Sequence, residues 1–215
     1  MKTQILYEDN EIIVVHKMPG MATQSADVAS LDVESELRNY LSGAPLYVVH
    51  RLDQPVEGIL VFAKTSDAAA KLSEQSVDGR MHKEYTALVT GKMEPEEGTL
   101  TDYLVKLPSG MARVVEGKPN RMCKKAILHF HTIEYNSDID VSKLKIELET
   151  GRFHQIRVQF AHAGHPLVGD RKYGSEQSIS LAGELGIRFV ALCASKLSFE
   201  HPATKEMVEF VIDEI

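Results

Sequence analysis

ILHFHTIEYNSDIDVSKLKIELET, residues 127–150, carries two strands and the turn between them. In SKLKIELET, Leu144, Ile146 and Leu148 alternate with Lys143, Lys145 and Glu147, so apolar and charged side chains leave opposite faces of an extended chain. ILHFHTIEY continues the pattern in part, with Leu128 and Phe130 two apart across His129 and Phe130 flanked by His129 and His131. NSDID is polar and short enough for a hairpin, which pairs the two runs antiparallel.

Outward from this hairpin, strands continue to outnumber helices. EIIVVHK (11–17), KEYTALVTG (83–91), LCASKLSFEHP (192–202) and KEMVEFVID (205–213) all read as strands. YVVHRLD and GILVFAKT read as extended segments broken by QPVEG, where Pro55 and Gly58 suit a turn or a bulge. A helix capped by Ser30 is predicted through Leu41, with Leu37, Tyr40 and Leu41 as its apolar side. SDAAAKLSEQ, from Ser66, predicts a second helix with Ala68, Leu72 and Gln75 on one side. The acidic stretch around Pro95 and Gly98 reads as a loop, and 101–122 as short strands broken by prolines and glycines. Residues 175–188 read as a loop around a short helix. Hairpin-length connections and the lack of regular βαβ units point to an α+β fold on a largely antiparallel, mixed sheet with flanking helices. No linker separates the chain, so residues 1–215 read as one domain with room for two lobes.

Composition narrows the function. The 215 residues are 43% hydrophobic and 26% charged, ordinary for a globular protein with a real core. No long uncharged stretch predicts a membrane span, and MKTQILYEDNE is unlike a signal peptide. Cys123 and Cys193 lie far apart without metal-ligand spacing, which predicts reduced thiols in a cytoplasmic protein. A net charge of −7 gives no bulk attraction for nucleic acid and by itself favours a small-molecule enzyme. Basic residues nevertheless cluster, in Arg80/His82/Lys83, in Lys118/Arg121/Lys124/Lys125 and in Arg152/His154/Arg157.

The candidate chemistry lies in two segments. GRFHQIRVQFAHAGHP, 151–166, fits a helix from His154 to about Ala163, stopped by Gly164 and Pro166. Phe153, Ile156, Phe160 and Ala163 share one face; His154, Arg157 and Ala161 share its neighbour. Arg152 and Arg157 near a helix N-terminus predict a carboxylate or phosphate partner. His154, His162 and His165 lack zinc spacing, and phosphate-loop, dinucleotide and serine-elbow motifs are all missing, so neither metal nor cofactor is expected. In HRLDQPVEGILVFAK, 50–64, Asp53 opens an apolar strand and needs a partner, for which Arg51 and Arg157 are both candidates.

HRLDQPVEGILVFAK, HKEYTALV and GRFHQIRVQFAHAGHPLVGDRKYG, in that order, together resemble the RluA-type pseudouridine synthases. The opening IIVVHKMPGMATQ is similar to that family's lysine–proline–glycine segment. The resemblance spans about 11–91 and 124–202. It implies the pseudouridine-synthase catalytic fold with a central cleft, and isomerisation of uridine in RNA without cofactor or metal. Asp53 matches the catalytic aspartate, Tyr85 the tyrosine beside the flipped base, and Arg157 the arginine paired with the aspartate. Arg51 matches the arginine that displaces the base and holds the backbone. Arg152, His154 and Lys83 match residues on the RNA side.

The same resemblance implies a stem-loop of tRNA or large-subunit ribosomal RNA as partner, and the short chain slightly favours tRNA. With no coiled-coil feature and no uncharged span, a monomer off the membrane is expected. The catalytic signature begins near residue 1, so no separate N-terminal S4-like domain is expected. Two departures stand out. The threonine–serine–glycine turn usual after HRLD is here Gln54-Pro55-Val56-Glu57-Gly58, and Phe153 replaces a small, polar or basic residue. The first predicts altered RNA selection, with Glu57 adding negative charge.

Overall fold

The structure, a computed structural model, describes residues 3–25 and 31–212. In chain order the strands and helices are β1 (Gln4–Glu8), β2 (Ile12–Lys17), α1 (Val33–Tyr40), β3 (Tyr47–Val48), β4 (Glu57–Ala63) and α2 (Ser66–Asp78). Then follow β5 (His82–Thr90), β6 (Glu97–Lys106), β7 (Ala112–Val114), β8 (Lys124–Asn136) and β9 (Val141–Leu148). The chain ends with α3 (Gln155–His162), α4 (Glu176–Glu184), β10 (Leu192–Glu200) and β11 (Met207–Val211). It divides into two compact units, 1–83 with 193–214, and 84–192. The α+β class stands, with strands mostly antiparallel.

In the first unit the order is β1-β2-β4-β10-β11, and β3 lies on β4 beyond the reach of β10. Here β4 and β10 run parallel, through Cys193↔Glu57 and Ala194↔Gly58. Gly58 makes this pairing possible: its φ is +140°, and a Cβ there would lie 2.6 Å from the Ala194 nitrogen. Ile12, Val14, Ile59, Val61, Leu197 and Phe199 face Ala68 and Leu72 of α2, forming the core. Each large side chain so buried contributes about 1.5–3 kcal/mol. The predicted face of α2 is the buried one, Ala68, Leu72 and Gln75, but the cap is Thr65 and the helix runs to Asp78.

For α1 the outcome differs. Ser30, the expected cap, lies outside the described residues; Asp32 accepts from the Ser35 N–H as N-cap, and Val33, Glu36 and Leu37 are buried. Tyr40, expected on the apolar side, is exposed and meets Glu8 through its hydroxyl. YVVHRLD forms only the two residues of β3, so no strand runs through Arg51 and Asp53.

The second unit is ordered β5-β9-β8-β6-β7, antiparallel throughout. The opening hairpin is confirmed as β8 and β9, closing at Asn136↔Val141 with Asp140 at φ 52°. A register shift between Thr132 and Glu134 interrupts the alternation that Leu128 and Phe130 begin. Gly98, expected in a loop, lies inside β6. Leu104, Ala112 and Ala126 pack on Val158 of α3, and Val141 and Val168 pack with Leu181 and Ala182 of α4.

Candidate active site

Asp53 sits in a turn whose two neighbours are fixed by the loop after β2. Lys17 ends that strand with no solvent exposure, and its ammonium donates to the carbonyls of Met18 (3.2 Å), Met21 (2.7 Å) and Gln54 (3.1 Å). Burial pushes the Lys17 ammonium down to about 8, against the upward pull of Asp53 and Glu57. Gly20 N–H also donates to the Gln54 carbonyl (2.8 Å), and the Gln54 amide donates back to the Gly20 carbonyl (3.1 Å). On the other side, Thr23 Oγ1 donates to the Leu52 carbonyl (3.0 Å) and accepts from its N–H (3.1 Å). The turn closes with Val56 N–H on the Asp53 carbonyl (3.0 Å). Asp53 is thus a half-buried carboxylate on a backbone with little freedom.

The unusual QPVEG turn is built from the inside. Val56 is core at 2% exposure, and Glu57 meets His16 Nε2 at 2.7 Å across β2 and β4. Glu57 is therefore engaged within the sheet. Arg51, two residues before Asp53, is exposed and makes neither hydrogen bond nor ion pair with the described residues. Lys83 is half-buried, donates to Ser76 Oγ (3.2 Å), and is pushed down to about 8 by burial. Burial, then the charge of Lys83, hold the His50 ring well below its usual pKa.

In the second unit, Tyr85 lies on β5 at 7% exposure, paired with Ile146. The GRFHQIR corner is held by Gln155. Its Oε1 accepts from Thr150 Oγ1 (2.8 Å) and the Arg152 N–H (2.9 Å), and its Nε2 donates to the Ile127 carbonyl (3.0 Å). His154 takes φ 55°, left-handed, so α3 begins at Gln155. Phe153 lies outside the helix at 37% exposure, with its ring 3.7 Å from the His154 ring and Lys106 Nζ 4.5 Å from its centre. His154 Nδ1 and the Tyr173 hydroxyl are 2.6 Å apart. The helix is not amphipathic: Gln155 through Phe160 are all buried.

Arg157, at 3% exposure, is gripped side-on by Asp170, at 1%: Nε to Oδ2 is 2.7 Å and Nη2 to Oδ1 is 2.6 Å. Asp170 Oδ1 also accepts the N–H groups of Lys172 (2.9 Å) and Tyr173 (3.2 Å). The anion expected for the two arginines is thus supplied to Arg157 from within the chain. Arg152 is exposed and gives its Nε to the Lys125 carbonyl at 2.9 Å. The grip uses one edge of the Arg157 fork, and a guanidinium has further donors at Nη1.

Two positions that hold these groups in place had no role at the sequence level. Asp170 stands in the quoted GHPLVGD and Lys17 in the quoted HKMPGMAT, and the signal for each was a charged residue inside an apolar or glycine-rich run. Among the described residues no group of three histidine, cysteine or acidic side chains could hold a metal ion. Nor is any described helix long and apolar enough to cross a membrane.

Comparison with known proteins bears on this arrangement. Residues 11–162 match the family described as RNA pseudouridylate synthase. An uncharacterized RNA pseudouridine synthase of Bacillus subtilis, YhcT, is 34% identical over 209 residues, covering 95% of this chain and 66% of its own length. Ribosomal large subunit pseudouridine synthase C of Salmonella typhimurium is 37% identical over 216 residues, covering 95% and 64%. The chain spans about two thirds of the length of these relatives. In structure, human RNA pseudouridylate synthase domain containing 1 aligns with a TM-score of 0.81 at 23% identity, over 99% of this chain and 84% of that one.

Proposed function

The chain belongs to the RNA pseudouridylate synthase family, whose enzymes isomerise uridine to pseudouridine in RNA, and we propose that it does so with Asp53 as the group that acts on the ribose. The reaction breaks N1–C1′, turns the detached uracil and joins C5 to C1′, with loss of the C5 proton and gain of one at N1. An ionised carboxylate attacks C1′ or stabilises positive charge there, and divides the displacement into easier steps. The observation that carries this reading is the double anchoring of Leu52 and Gln54, which aims the carboxylate between them.

In this proposal Arg157 takes the role the family resemblance implies, the opposite charge that favours the ionised form of Asp53. Tyr85 offers its ring to the turning uracil. The base must leave its stack to be reached, and Arg51, exposed and without a partner among the described residues, takes its place and holds the backbone. Arg152 adds an exposed cation, and His154 and Lys83 are assigned to RNA binding. The substrate is a stem-loop of large-subunit ribosomal RNA or tRNA, read largely by shape; the ribosomal relatives support the former. A single copy of the catalytic fold acts on the RNA. Cys123 and Cys193, neither of them in a disulfide, suit a reducing cytoplasm. Mapping pseudouridines in total RNA with and without the gene tests the proposal. It requires at least one site in these two RNA classes to disappear and return with the wild-type gene; an unchanged map contradicts it.

A further inference from the structure

A groove of about 450 Å³ opens in the first unit beside Arg51, within the size range of small-ligand sites. Its walls include Tyr47, Leu46, His50, Gln24 and Arg38. Tyr47 is 39% exposed, and its hydroxyl, like the guanidinium of Arg51, has no partner among the described residues. The opposite wall is rigid. Glu34 accepts from Arg38 (2.7 Å) and from Gln24 Nε2 (2.7 Å), and Arg38 also donates to the Leu46 carbonyl (2.9 Å). The one carboxylate facing the groove is thereby neutralised. His50 stays neutral and accepts the Val61 N–H at Nε2 (3.4 Å), so its proton sits on Nδ1.

We propose that this groove binds one unpaired nucleotide next to the target uridine, its base stacked on Tyr47 and its phosphate on Arg51. An exposed aromatic face beside a free arginine is the combination that holds single-stranded nucleic acid. Position supports the assignment. Arg51 and Asp53 are two residues apart, at most about 7 Å of chain, so the groove lies one nucleotide step from the sugar on which Asp53 acts. The proposal rests on the RNA reading above and adds a specificity subsite to it.

The test uses the full chain and a fluorescein-labelled RNA heptamer of uridines carrying 5-iodouridine for photo-crosslinking. The cross-link is expected in the tryptic peptide NYLSGAPLYVVHR, residues 39–51, at Tyr47 or His50. Tyr47→Ala should weaken heptamer binding about tenfold, the effect of losing one stacked base, and Tyr47→Phe should restore it. Binding within twofold of wild type in Tyr47→Ala, or cross-links confined to other peptides, overturns the subsite. Should Tyr47→Ala fail to fold, the cross-link in the wild-type protein decides alone. Tritium release from C5-labelled uridine in total RNA, run in parallel, separates the two ideas. Release without the cross-link overturns the groove and leaves the isomerase; a cross-link without release supports the groove and contradicts the isomerase.

Discussion

Arg157 and Asp170 form a two-point ion pair inside the protein, 2.7 Å at Nε and 2.6 Å at Nη2, with their side chains at 3% and 0% exposure. The charge of Arg157 is therefore offset where water does not reach, and its plane is set by a residue 13 positions later in the chain. Asp170→Asn preserves volume but leaves a buried guanidinium without its counter-charge. Loss of one partner from such a pair costs about 3–5 kcal/mol. Urea unfolding measures it, and a loss below about 1 kcal/mol would contradict the structural role assigned to the pair.

Lys17 gives a pH signature. Its ammonium titrates at about 8 in the folded protein and at about 10.4 in an unfolded chain. Between those values the unfolded state holds the proton and the folded state does not, so stability rises with pH across that window. Below about 8 the burial penalty is present in full. The rise attributable to Lys17 is on the order of 3 kcal/mol. Lys17→Met should flatten it, as read from the difference between wild-type and variant unfolding curves at pH 7 to 10. The same variant frees the Gln54 carbonyl, so turnover should fall about 10–100-fold while RNA binding holds.

Gly58→Ala tests the strand junction behind the aspartate. The new methyl would sit 2.5 Å from the Ala194 Cβ and 2.7 Å from its carbonyl oxygen, in a backbone conformation unfavourable to alanine. Strain and overpacking together should cost about 2–5 kcal/mol. A variant as stable as wild type would show that β4 and β10 do not approach as closely as described.

Arg51 is assigned to the RNA backbone, so its removal should act through counterions. Arg51→Ala should weaken RNA binding across sequences and reduce the slope of log affinity against log salt by about 1. An unchanged slope would place Arg51 away from phosphate.

Much of this was legible before the structure. The β8–β9 hairpin, the buried face of α2 and the α+β class follow from local periodicity, which the structure keeps. The motifs pointed to Asp53, Tyr85 and Arg157 through a family resemblance that the comparisons establish. The misses share a cause: side-chain partners brought together by tertiary structure. Arg157 looked like a residue of an amphipathic helix because its counter-ion, Asp170, lies beyond the helix. Lys17 does end a strand, as read, but its anchoring role was not visible, because the carbonyls of Met18, Met21 and Gln54 only converge once the 18–23 loop closes. Arg51 and Asp53 looked like one strand because alternation in RLD survives without strand pairing: Arg51 is exposed, Leu52 buried and Asp53 half-buried. Phe153 looked helical because His154, a non-glycine residue at φ 55°, delays the helix start by one residue.

The central claim is that Asp53 carries out the isomerisation, and tritium release measures it most directly. RNA labelled at C5 of uridine is incubated with wild-type protein and with Asp53→Asn, which keeps the size of the side chain and removes the carboxylate. Wild type should release tritium from total cellular RNA and Asp53→Asn should release none above background while binding the same RNA. Equal release by both proteins, or none by either when both bind RNA, would contradict the account.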